Sequence, residues 1–534
     1  MRIVLSAHTR LMRATRIKLL ILSGLYLASC HLNAVRADAS IPTVTAQTAI
    51  SPITLDGKLD EPAWQHAGVI EDLIQQSPHP GTPTPYHTRI LLLHDGHILY
   101  IGVIADDPDP AKIATHTLVR DGDQSNDDYV GFVIDSFGTR RVAYVFQINA
   151  AGAMADGLLS PTPSNNNIYG NSSNNGVDYN WDGIWTAKVH RTSHGWTAEI
   201  AIDTRSLQFG SHVGNWGFNA TRYVPRDLLT FNWSGTTLDS SVLNLQREGS
   251  LGGVQDMQQG RGWDFQPYGL ARHQTGGGST SNAGFDLKYN FNPSLAGLLT
   301  YHTDFAEAEA DQQQINDGRF PLIFPEKRQF FLQGSNLFSF GYNLSGFFGF
   351  SPYYSRTIGL VNGQQVPLDE GVKLIGQSST GSLALLDTQM AATTVSQATN
   401  LFAGRGTWNP DQNLQVGALV THGDPSGTSD NTFTGTDLLW KTASFDGDKN
   451  LNLSAWAGHS SGDLPAGNAS GYGFGVEYPN DLWYADAQFN QFGDALDPGI
   501  GLLQRPGTRQ YDVQATYKPR PPAGSTFDWV HQFF

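Results

Sequence analysis

A two-residue alternation recurs along the second half of this chain and constrains its fold more than any other feature. Phe285, Leu287, Tyr289 and Phe291 are apolar, with Asp286, Lys288 and Asn290 between them. Asn292-Pro293-Ser294 follows as a tight turn, and Leu295, Gly297, Leu299 and Tyr301 carry the pattern back. The unit recurs at Phe402, Gly404, Gly406 and Trp408, turns at Asn409-Pro410-Asp411, and returns through Leu414, Val416, Ala418 and Val420. It recurs again from Tyr472 to Tyr478, through Pro479-Asn480-Asp481, to Trp483–Phe489, and once more from Tyr511 to Tyr517. Side chains of a strand alternate between two faces, so each unit is an antiparallel hairpin with one apolar face. Segments of about 10 residues, short turns and aromatics at the strand ends predict a transmembrane-type β-barrel. A large soluble sandwich or a propeller also alternates and is the competing expectation.

The 534-residue length predicts more than one domain, and charged residues are only 15% of the chain. The N-terminus reads as an export signal: Arg2, Arg10, Arg13, Arg16 and Lys18 precede a short apolar run from Leu19 to Ala28. Cleavage after Val35-Arg36-Ala37 makes residues 1–37 the signal; the alternative is a lipoprotein box at Leu27-Ala28-Ser29-Cys30, which holds the only Cys. No later apolar run is long enough for a membrane helix, so any insertion must be by a barrel. The net charge of −16 and the lack of a basic run beyond the N-terminus predict no nucleic-acid partner.

Residues 41–240 read as a separate antiparallel β-sandwich of short strands. Arg89–Leu93 and Ile98–Ile104 flank His94-Asp95-Gly96-His97, whose Asp-Gly is a hairpin signal and whose histidines are expected at the surface. Ile53-Thr54-Leu55-Asp56-Gly57-Lys58-Leu59-Asp60-Glu61-Pro62-Ala63-Trp64 resembles the opening of the family 9 carbohydrate-binding module-like domain. Asp106–Pro110, Arg120-Asp121, Asn126-Asp127-Asp128, Asp182-Gly183-Ile184-Trp185 and Gly195–Ile202 fit the same family in order. The resemblance implies a sandwich that binds sugars, sometimes with structural calcium. Sugar rings stack on aromatic faces, which makes Tyr179, Trp181 and Trp185 candidates, with Asp182 beside them and an Asn-rich loop at 165–175. Trp64, Trp185 and Trp196 also suit the core; Trp181, among polar neighbours, is the better ligand candidate. Asp121, Asp123, Asp127 and Asp128 form an acidic cluster of the kind calcium uses, although it lacks the Gly and closing Glu of a calcium loop.

One segment breaks the alternation: Phe320–Leu332 mixes prolines, aromatics and the charges Glu326, Lys327 and Arg328. It closely resembles a hallmark of the domain of unknown function 5916, which follows family 9 modules in bacterial outer-membrane proteins. Asp304-Phe305, Glu309-Ala310-Asp311, Gln314-Ile315-Asn316, Tyr354-Ser355-Arg356, Ile358-Gly359, Gly371–Leu374 and Tyr517–Pro521 fit the same pattern. The resemblance strengthens the barrel expectation. Inside a barrel, Glu326, Lys327, Arg328 and Arg356 have two readings: a gate or substrate contact, or an ion-pair network that pins an inward loop. Beyond the Tyr-x-Pro-Arg-Pro region the chain soon ends, and Phe527, Trp529, His531 and Phe533 leave the terminal Phe534 out of phase. An incomplete barrel is therefore one expectation.

The sum is an all-β chain: a signal at 1–37, a sandwich at 41–240, a linker at 241–261 and an outer-membrane antiparallel β-barrel at 262–534. Its expected partners are a glycan and outer-membrane lipid, with the sandwich in the periplasm. No His-Glu-x-x-His, phosphate loop or dinucleotide fingerprint is present. The function expected is glycan recognition coupled to a membrane barrel; a carbohydrate-active hydrolase with unrecognised carboxylates is the alternative.

Overall fold

The structure, a computed structural model, describes residues 41–160, 176–210, 214–259, 262–274, 278–302, 324–341, 350–361, 363–521 and 526. The signal segment and both cleavage sites, the Asn-rich loop, residues 304–323 and the out-of-phase end at 527–534 lie outside the described residues.

The chain is almost entirely β. A nine-stranded sheet runs in the order Thr43–Thr45, Gly249–Gly252, Trp216–Val224, Tyr129–Asp135, Ala143–Asn149, Met154–Leu159 and Val177–Asp178, with Leu229–Asn232 and Ile74–Ser77 branching from it. A six-stranded sheet carries Trp185–Thr192, Gly195–Asp203, Ile98–Asp106, Thr88–His94 and Gln47–Thr48, with Gly68–Ile70 beside Thr88–His94. Their inner faces share one apolar core that includes Ile90, Ile101, Phe132, Phe146, Trp196, Ile200, Phe218 and Phe231. The central strands are buried on both faces, since smaller apolar clusters around Trp64, Leu91, Leu93 and Tyr100 and around Val133, Val145 and Leu159 cover their outer sides.

Two polar anchors hold the sandwich. Glu199 accepts hydrogen bonds from the backbone N–H groups of Asp56 and Gly57, at 2.7 and 2.8 Å, and from Trp64 Nε1 at 2.9 Å. It thereby ties the opening segment to Gly195–Asp203. Asp128 takes Arg222 at 3.2 Å and Trp196 Nε1 at 3.1 Å, all buried. The Asp95 hairpin forms as expected: Asp95 Oδ1 accepts from the N–H groups of His97 and Ile98 at 2.9 and 2.8 Å. His94, however, is buried rather than at the surface, because it ends an inward-facing strand beside Thr48. Gly249–Gly252, inside the stretch expected as linker, is a strand of the nine-stranded sheet, paired with Trp216–Val224 and Thr43–Thr45.

From Trp263 to Tyr517 twelve strands pair in chain order, each antiparallel to the next. The register keeps the alternating residues on one face across the sheet: Phe285 opposes Tyr301, Gly404 opposes Val420, Phe474 opposes Phe489 and Phe489 opposes Tyr511. That face is apolar and exposed, with Trp263, Phe265, Phe291, Val372, Leu383, Trp408, Leu438, Phe474, Tyr511 and Val513 among its side chains. The other face packs on residues of the interior segment 324–361. Ala296, Leu298, Ile375, Leu386 and Leu401 meet Phe330, Phe331, Leu337 and Phe338. Farther along, Leu419, Phe433, Trp456 and Phe492 meet Phe340, Phe350 and Tyr353. One segment touching strands from Leu295–Tyr301 to Trp483–Phe492 requires the sheet to curve around it. Among the described residues the first and last strands do not pair, so these twelve strands do not form a closed barrel. No described helix is long and apolar enough to cross a membrane.

Candidate functional site

The interior segment is held by two buried clamps. At its start, Arg328 grips Glu326 with both arms, Nε to Oε1 at 2.9 Å and Nη2 to Oε2 at 2.8 Å, and its remaining donors reach the carbonyls of Ile358 and Ser355, both at 2.9 Å. Arg328 also lies over the Phe331 ring, 4.0 Å from its centroid. Lys373, on the strand Leu368–Ser378, donates to the carbonyls of Phe330, Phe331 and Gln333. It thus satisfies the end of the short helix Gln329–Leu332. Farther along the segment, Arg405 binds Asp437 through two bonds, at 2.5 and 2.8 Å, and Asp437 accepts the Gly341 N–H at 3.0 Å. Arg356 is buried on the turn Ser355–Thr357, and Lys327 is half-buried. Among the described residues, the donors of Arg328 reach Glu326 and the carbonyls of Ser355 and Ile358.

The aromatic candidates of the sandwich sit differently from expectation. Trp181 is 1% exposed, with Tyr144 at 5.2 Å and Phe146 at 6.3 Å between ring centroids, and Trp185 meets Phe146 at 5.3 Å. Neither offers a free face for a sugar ring. The polar neighbours of Trp181 lie in sequence, whereas its ring turns into the core. Tyr179 is half-buried over the patch of Val133, Val145, Leu159 and Val177. Asp182 is exposed and accepts from Gln329 of the interior segment at 3.1 Å.

The expected acidic cluster also divides. Asp128 is spent on Arg222 and Trp196. Asp127 accepts from the N–H groups of His116 and Thr117, at 2.6 and 3.1 Å, and from Asn149 at 2.8 Å. Asp123 closes a turn on the Ser125 N–H at 2.9 Å. Only Asp121 joins a carboxylate group, and its companions are Asp156 and Asp182, all three within 4.8 Å of one another. Burial pushes the Asp121 carboxyl up to about 7, with the neighbouring Asp156 charge adding to the effect. Arg120 already serves this group, at 2.5 Å from Asp156, 3.2 Å from Asp182 and 3.5 Å from Asp121. Calcium needs about six to eight oxygen ligands and no competing cation, so these residues fit an internal ion cluster better than a calcium site. Breaking a buried pair costs about 3–5 kcal/mol and an exposed one about 0–1, so for the partly exposed Arg120 the Arg120→Ala variant should lose about 2 kcal/mol. Calcium in the millimolar range is expected to restore part of the variant's melting temperature and to leave the wild type unmoved. A calcium-dependent shift in the wild type would show that Arg120 is not the resident counter-charge.

Gly458-His459-Ser460-Ser461-Gly462 has the spacing of a nucleophile elbow. In the structure it belongs to the strand Lys449–Gly462, with no strand-to-helix turn, and the buried Ser460 hydroxyl donates to the Asp497 carbonyl.

The molecule is thus a β-sandwich set against the turns of a long antiparallel meander with an apolar outer face and a packed interior segment. Residues 263–384 match the family model described as Domain of unknown function (DUF5916). A comparison of the sequence with curated proteins finds no match. Among solved structures, the chain is similar to a proposed carbohydrate-binding protein from Bacteroides uniformis, at 12% identity over 40% of this chain and 99% of that one, with a TM-score of 0.32. It is also similar to engineered porins of Rhodopseudomonas blastica, one at 10% identity over 73% of this chain and 98% of the porin, with a TM-score of 0.18. Likenesses of this size carry no further argument.

Proposed function

We propose that this chain is an outer-membrane protein: the twelve-stranded sheet faces lipid, and the sandwich, which resembles family 9 carbohydrate-binding modules, recognises a glycan at the sheet's short-turn end. The exposed apolar face that continues from Trp263 to Tyr517 carries the membrane half of this reading. A soluble monomer rarely exposes a contiguous apolar surface of more than a few hundred Å². The glycan half rests on the sandwich motifs. The Asn292-Pro293-Ser294 turn bonds Phe209, with the Phe209 N–H donating to Pro293 at 3.0 Å and Ser294 Oγ donating to Phe209 at 3.1 Å. Asp411 accepts Arg141. Short turns lie on the periplasmic side of outer-membrane barrels, so the sandwich belongs in the periplasm. Fractionation with heat-modifiable gel mobility tests the reading. The protein is expected in the outer membrane with mobility that changes on boiling; recovery in the soluble periplasm overturns it.

A further inference from the structure

Between the sandwich and the turn end of the sheet lies a cleft of about 610 Å³. The sandwich supplies Arg140, Arg141 and the loop from Leu238 to Gln246; the sheet supplies Lys441, Asn452, Glu477, Tyr484 and their neighbours. The carboxylates lining it are already engaged. Asp239 pairs with Lys449 at 2.5 Å, Asp481 with Arg520 at 2.7 Å, and Glu477 accepts from Asn452 at 2.7 Å and Tyr484 at 3.3 Å. Arg141 is the exception. It is 4% exposed, its Nε–H finds no acceptor, and its hydrogen bond is from Nη2 to the Asp411 carbonyl at 3.2 Å. It makes no ion pair among the described residues. Asp411 and Asp135 act on it only at longer range, and Lys441, on which Glu477 also acts, lies within electrostatic reach of it.

A buried cation without a counter-ion is costly, and a second cation beside it adds to the cost. An anion entering the cleft relieves both. The cleft is far larger than one oxyanion and is in the size range of small-molecule sites. The hydroxyls and amides of Ser241, Thr442, Asn452 and Tyr484 on its walls suit a hydroxyl-rich body. We propose that this cleft binds an acidic oligosaccharide, whose carboxylate is taken by Arg141 and Lys441. The proposal rests on the glycan reading above and names its ligand class and its place.

The test is titration calorimetry on the full chain in detergent micelles, with trigalacturonate, neutral galactotriose and inorganic phosphate as probes. Trigalacturonate is expected to bind at least tenfold more tightly than galactotriose, with affinity falling as salt is raised. Arg141→Gln and Lys441→Gln are each expected to remove that preference, at least tenfold, while heat-modifiable mobility is kept. If Arg141→Gln fails to fold, Lys441→Gln decides. Equal binding of the two trimers, or binding that neither substitution changes, overturns the cleft and leaves the glycan reading standing. Binding of phosphate alone overturns the proposal, and binding of no saccharide overturns both readings.

Discussion

Arg328→Ala should lower the stability of the folded chain by about 3–5 kcal/mol, the cost of leaving a buried carboxylate without its partner. Arg328 is 1% exposed and Glu326 2%, so water cannot replace the lost bonds. The variant also strands the carbonyls of Ile358 and Ser355, which loosens the turn that carries Arg356. Burial raises the Glu326 carboxyl, but Arg328 outweighs burial and holds it down to about 2. A carboxylate lowered in the folded state contributes stability above its unfolded value, and that contribution is lost as pH falls from about 4.3 towards 2. The wild type should therefore weaken over that acid range. In Arg328→Ala burial is opposed only by the backbone N–H groups at 327 and 328 and by Ser355, so the carboxyl rises and the trend should reverse: the variant should be more stable near pH 4 than near pH 7. Urea midpoints at the two pH values check the sign. Replacing both partners, as Glu326→Leu with Arg328→Met, should recover much of the loss, because no buried charge remains. A changed single-channel conductance with an unchanged urea midpoint would instead give Arg328 a gating role.

The sequence exposed some of this plan and hid the rest, for physical reasons. The twelve-stranded meander was legible because a strand's period of two is local: Phe285 to Phe291 shows its own facing without reference to any distant residue. The interior segment was legible as an interruption, since Glu326-Lys327-Arg328 among aromatics and prolines fits neither face of a strand. Ring orientation was not legible. Trp181 is flanked by Asn180 and Asp182, yet its indole joins the core through Tyr144 and Phe146, which come from another strand. The carboxylate group was hidden more deeply. Asp121, Asp156 and Asp182 meet from three separate stretches, so no spacing could reveal them, while the four aspartates of the compact run from Asp121 to Asp128 turn in four directions. Arg405 is not legible as a clamp because its strand, Phe402 to Trp408, shows only an apolar face in sequence and its partner Asp437 lies two strands away. Local periodicity thus reports facing, whereas pairing of charges across the sheet is set by the turns and the register.

The second large effect is expected on the outer face. Phe474 is 55% exposed at the middle of the strand Ser470–Pro479, opposite Ala455 on one side and Phe489 on the other, with the Phe489 ring at 5.3 Å. If lipid covers this face, Phe474→Arg places a guanidinium near the bilayer midplane, at a cost of about 2–4 kcal/mol. On a water-facing sheet the same exchange at an exposed position should stay within about 0.5 kcal/mol. Trp483 supplies the comparison. It is equally outward, but it begins the strand Trp483–Phe492 beside the Pro479-Asn480-Asp481 turn and packs on Tyr517 at 4.6 Å, where an aromatic girdle belongs. Trp483→Arg near an interface should cost only about 0–1 kcal/mol from the charge itself. Urea unfolding of the two variants in liposomes should therefore show the Phe474 substitution losing clearly more stability than the Trp483 one. Water has no depth and lipid does, so a graded loss that follows distance from the strand ends marks a membrane face. Equal and small losses at both positions would sink the lipid-facing assignment of the sheet, whatever the sandwich binds.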